Sequence, residues 1–91
     1  MSARVTLYSR LGCHLCEEAR EAILSLRVAG CDFELGEIDI ESDDALLRRY
    51  LERIPVVELE GEVVSELVFD PEALRARLDT VQAVRGEGRT G

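Results

Sequence analysis

A chain of 91 residues with 46% apolar and 33% charged side chains is one domain's worth of foldable sequence, not a disordered tail or a membrane protein. Its net charge of −8 sets 19 acidic residues against 11 basic ones, all Arg, which argues against nucleic acid and anionic membrane as partners. No apolar run reaches the ~18 residues of a spanning helix, and Met1–Arg4 leads into an alternating strand pattern without a secretory core, so the expected location is the cytoplasm.

Val5 and Leu7 mark a first strand ending near Tyr8-Ser9, and Arg10-Leu11-Gly12 reads as a turn. From Cys16 the spacing becomes helical. Cys16, Ala19, Ile23 and Leu26, with Leu15 and Ala22, share one face, and Gly30 is the stop signal. Phe33, Leu35, Ile38 and Ile40 predict a second strand whose phase change at Gly36 suggests a bulge or bend. Ser42-Asp43-Asp44 caps a short helix carrying Leu46, Leu47, Tyr50 and Leu51, which Ile54-Pro55 ends. Val56–Leu59 and Val63–Ser65 flank the tight turn Glu60-Gly61-Glu62 as a hairpin. Asp70-Pro71 then opens a last helix with Leu74 and Leu78 inward. The order β-α-β-α-β-β-α predicts an α/β domain over residues 1–85, a four-stranded mixed sheet flanked by helices, with 86–91 as a flexible tail.

The chemistry-bearing motif is Cys13-His14-Leu15-Cys16 at a strand-to-helix junction. A thiol just outside the first helical turn meets unsatisfied N–H groups and the positive end of the helix dipole, which together favour its thiolate. That effect is worth ~0.3–1 kcal/mol when exposed. His14 and Arg10 add to it, while Glu17 and Glu18 oppose it. The second thiol, one turn later on the inward face, is within reach to resolve a mixed disulfide. A structural zinc site is the competing use and needs four ligands. Cys31, the other thiol, lies roughly 22 Å from Cys16 at ~1.5 Å per helical residue, too far to share an ion or a disulfide.

With Tyr8–Cys16 beside Ile54-Pro55, the chain resembles the glutaredoxin branch of the thioredoxin fold, nearest to small bacterial glutaredoxin-like proteins with a Cys-His-Leu-Cys centre. The resemblance covers about residues 4–80. It implies a thioredoxin-like fold of glutaredoxin type and a thiol–disulfide oxidoreductase, with Cys13 as nucleophile and Cys16 as resolving thiol. It implies a cis Ile54-Pro55 bond beside the pair, and a substrate site drawn from Arg10, His14, Arg53, Ile54 and Pro55. No bound metal or cofactor is implied; glutathione is a candidate reductant or substrate. The implied partners are protein or small-molecule disulfides and a donor of glutathione or thioredoxin-reductase type, acting on a monomer. The segment Ser65-Glu66-Leu67 stands where glutaredoxins usually have a Gly-Gly turn, so a charged side chain occupies that place. The alternative is a thioredoxin-fold binding, adaptor or redox-sensing module that does not catalyse.

Overall fold

The computed structural model describes residues 3–90, with side chains through Val81. Strands β1 (Ala3–Ser9), β2 (Phe33–Asp39), β3 (Val56–Leu59) and β4 (Glu62–Glu66) form one sheet in the order β2-β1-β3-β4. β1 pairs parallel with β2 and antiparallel with β3, and β4 closes the sheet antiparallel to β3. The helices are α1 (His14–Val28), α2 (Asp44–Tyr50) and α3 (Pro71–Thr90). This is the mixed four-stranded α/β sandwich that the sequence predicts. Helix α3 includes residues 86–90, most of the stretch read from sequence as a tail; its side chains beyond Val81 lie outside the described residues.

Alternation along β1 divides the domain. Ala3, Val5 and Leu7 point to one face, where Ala19 and Ile23 of α1 and Leu74 and Leu78 of α3 join Val57 and Leu59 in the main core. Tyr8 points to the other, where Ile40, Tyr50 and Val56 form a smaller core under α2. Helix α1 ends in a Schellman arrangement, with Cys31 N–H bonded to Leu26 C=O and Gly30 N–H to Arg27 C=O. Gly30 has φ 111°, so glycine is suited to this stop.

The bulge expected at Gly36 is absent, because β1 and β2 stay in register from Ala3↔Phe33 to Ser9↔Asp39. The phase change has another cause. Phe33 and Leu35 face the main core, whereas Ile38 lies exposed in the row of Tyr8 and Ile40 fills the second core, where it begins a 3-10 turn (Ile40–Ser42). Gly36 is instead small because the Arg4 guanidinium crosses it; a β-carbon there would lie 2.9 Å from Arg4 Nη2. The register shift falls between β3 and β4, at Val57/Glu58. Capping also moves by one residue: Asp43 alone caps α2, accepting from Ala45 N–H, while Ser42 Oγ donates to Asp39 C=O.

One polar network braces α1 against β2. Glu37 accepts from Arg20 Nε at 2.8 Å and from Ser9 Oγ at 2.7 Å, with Ser9 itself buried. The Arg20 bond, reinforced by Ser9 against partial desolvation, holds the Glu37 carboxyl below its ordinary range. A depressed carboxyl adds stability above the unfolded-state value, and that contribution disappears as pH falls through the folded-state value. Glu37→Gln should therefore lower unfolding free energy by about 0.5–1 kcal/mol at pH 7. In urea titrations followed by circular dichroism, its deficit against wild type should shrink as pH drops below ~4. An equal deficit at all pH values would refute the charged role.

Candidate active site

Strand β1 delivers the chain to the loop Arg10–Gly12, where Cys13 N–H bonds to Arg10 C=O at 3.1 Å and Gly12 takes φ 82°. Cys13 is the N-cap of α1: its extended backbone (φ −84°, ψ 107°) turns the sulfur back over the first turn, where Sγ accepts from Cys16 N–H at 3.2 Å. An otherwise unsatisfied helix donor is thus aimed at sulfur. The two cysteines are paired as a disulfide, with Cα atoms 5.2 Å apart. Cys16 is 1% exposed, whereas Cys13 is half-buried. Only the first sulfur is open to attack from outside.

Ile54-Pro55 arrives from the other side. The bond is cis, and Pro55 is buried. The last ladder pair of β1 and β3 is Tyr8↔Val56, so Pro55 lies just beyond it, at the carboxyl end of β1 that leads to Cys13. One row runs Ile38, Tyr8, Val56, Glu66 across the sheet and ends beside this segment. Arg53 C=O accepts from Leu67 N–H at 2.8 Å, tying the segment to the β4–α3 connection. Leu67 adopts φ 65°, unusual for leucine, and that bond holds it there.

The five residues expected around the pair are Arg10, His14, Arg53, Ile54 and Pro55, and each sits on a loop or first turn at this end of the sheet. The polar side chains among them are engaged by the chain itself. Arg10 pairs with Glu41 at 3.3 Å, His14 faces Glu18 at 3.4 Å and Arg53 meets Glu66 at 3.7 Å. Cys31 lies past the far end of α1, half-buried against the main core. Among the described residues, no three His, Cys, Asp or Glu side chains gather as a metal cluster, and no helix is long and apolar enough to cross a membrane.

Sequence reasoning missed three parts of the site. Leu15, Ala19 and Ala22 of α1 and Leu67, Val68 and Phe69 of the β4–α3 connection line an apolar cavity of about 180 Å³ beside the motif. The apolar run Leu67-Val68-Phe69, outside any strand, was its signal. The pairing of Glu41 with Arg10 left no local signal, and Glu66, singled out in the sequence for its charge, was not expected to pair with Arg53. On the opposite face of the sheet, under α2, Glu58 accepts from both Tyr8 and Tyr50, whose rings lie 4.8 Å apart. Burial first, then Glu58, raises both tyrosines above their ordinary value, so they stay protonated donors.

The model of the glutaredoxin-like domain (DUF836) matches residues 4–79. The chain belongs to that family. This glutaredoxin-like domain is 39% identical to an X. campestris protein solved by X-ray crystallography, at TM-score 0.67 over 84% of this chain and 96% of that one. It is 32% identical to a Nitrosomonas europaea protein solved by NMR, also at TM-score 0.67, covering 85% and 92% of the two chains. A mutant thioredoxin from Halobacterium salinarum, 24% identical over 87% of this chain and 74% of that one, shares the fold at TM-score 0.62. No curated protein matches the sequence. The family supports the resemblance read from Tyr8–Cys16 and Ile54-Pro55, and the glutaredoxin-like domain carries its cysteine pair at the N-terminus of α1.

Proposed function

We propose that this glutaredoxin-like domain is a thiol–disulfide oxidoreductase with a dithiol mechanism. The Cys13 thiolate attacks a substrate disulfide, displacing one thiolate that takes a proton; Cys16 then attacks the Cys13 sulfur and releases the second thiol. Two electrons pass to the substrate and leave a Cys13–Cys16 disulfide. The observation that carries this reading is Cys13 Sγ at the helix N-cap, accepting from Cys16 N–H, with its partner buried one turn away.

Arg10, His14 and Arg53 border the approach to Cys13. The Ile54 carbonyl, next to Pro55, accepts from an extended substrate segment at the edge of the strand, since the Ile54 N–H is already bonded to Tyr50 C=O. Protein or small-molecule disulfides are the substrates, and glutathione or a reductase serves as donor. In this reading the protein works as a cytoplasmic monomer and needs no bound metal.

The test equilibrates the protein in glutathione redox buffers and counts trapped thiols by mass. Two thiols should titrate together as a two-electron couple, with the third, Cys31, outside it. A Cys13–Cys16 pair that exchanges in none of the buffers would overturn the reading and leave a binding module in its place.

A further inference from the structure

Three arginines around the cysteine pair are each matched by a carboxylate of the same chain. Arg10 faces Glu41, Arg53 faces Glu66, and Arg20 is engaged by Glu37. Arg10, Arg20, Glu37 and Asp39 share one open cavity of about 300 Å³, so an anion entering it meets guanidinium groups already holding carboxylates. Glu17 then adds negative charge on the first turn of α1, and Glu18, facing His14, lies on the wall of the apolar cavity. A net charge of −8 gives the distant field the same sign.

These pairs are exposed, with side chains about half accessible, so each is worth ~0–1 kcal/mol and tunes rather than blocks. Their placement gives them leverage. Glu66 ends the sheet row beside Ile54-Pro55, and Glu41 holds the arginine three residues before Cys13.

We propose that Glu41 and Glu66 are specificity determinants that turn the site against anionic disulfides and towards cationic ones, such as disulfides in basic polypeptide segments. The proposal rests on the oxidoreductase reading and names its substrate class. Each carboxylate does two things: it occupies the arginine that would greet an anion, and it cancels that arginine's charge, so that unpaired acidic groups such as Glu17 set the sign of the approach to Cys13. A basic group beside the substrate sulfur meets Glu17, while an apolar neighbour has the cavity between α1 and the β4–α3 connection.

The test uses the reduced full chain with three small disulfides as probes: cystamine, bis(2-hydroxyethyl) disulfide and glutathione disulfide, cationic, neutral and anionic at pH 7. Each is converted to two thiols as Cys13 and Cys16 become a disulfide, and each rate is divided by its rate with free dithiothreitol. Wild type should rank them cationic, neutral, anionic. Glu66→Gln or Glu41→Gln should each raise the anionic-to-neutral ratio about threefold, and the double variant about tenfold. In ~1 M salt, where the Debye length is about 3 Å, the wild-type ranking should flatten. Equal wild-type ratios at low salt, or variant ratios unchanged while the neutral probe is still reduced, would overturn the inference. Failure to reduce any of the three would instead overturn the oxidoreductase reading beneath it.

Discussion

Cys13→Ser should cut disulfide reduction by a factor of ~10³ or more, because the remaining thiol has no route to substrate. The asymmetry is visible in burial: Cys16 is 1% exposed and faces the core side of α1, while Cys13 caps the helix at the surface. Cys16→Ser should behave differently. Attack by Cys13 survives, but nothing resolves the product, so mixed disulfides between Cys13 and substrate should accumulate. They are read by mass spectrometry or on non-reducing gels. Cys31→Ser is the control, since that thiol lies at the opposite end of α1. Undiminished turnover in Cys13→Ser would reject the assignment of the nucleophile.

Ile23→Ala should damage the fold severely, lowering unfolding free energy by about 2–5 kcal/mol. Ile23 is fully buried in the cluster joining α1 and α3 to the sheet, so its loss leaves a cavity as well as removing apolar burial. Small domains have only ~5–15 kcal/mol in total, so this one substitution consumes a large share. Ile23 also lies two turns along the helix from Cys16, on the same face. Leu24→Ala, at a site 39% exposed on the same helix, should change stability by about 0.5 kcal/mol or less. Urea midpoints followed by circular dichroism compare the two; equal losses would mean that α1 is not seated as described.

Local signals carried most of the fold. Helical spacing from Cys16 located α1, Gly30 marked its end, and Asp70-Pro71 opened α3. The error at Gly36 had a physical source. A strand that is apolar on one face at its start and on the other at its end looks, in one dimension, like a strand with an inserted residue. Only the placement of α1 and α2 on opposite faces tells the two apart. The site divides the same way: the Cys pair and Ile54-Pro55 are contiguous motifs, whereas Glu41 and Glu66 reach their arginines through chain reversals that no local window contains. Leu67 illustrates the limit, since nothing about a leucine announces a positive φ; its hydrogen bond to Arg53 C=O does.

The second core has a kinetic consequence for the docking segment. It is roofed by α2, seven residues long, and helices shorter than about 12 residues do not persist by themselves in water. Arg53 N–H and Ile54 N–H both bond to Tyr50 C=O, the last residue of that helix. The Ile54-Pro55 strip, which the proposed reading gives to the substrate, is thus tied on one side to this short helix and on the other to the central strand β3. In the proposed reading, a substrate laid along Ile54 and the order of α2 are coupled through those two bonds to Tyr50 C=O.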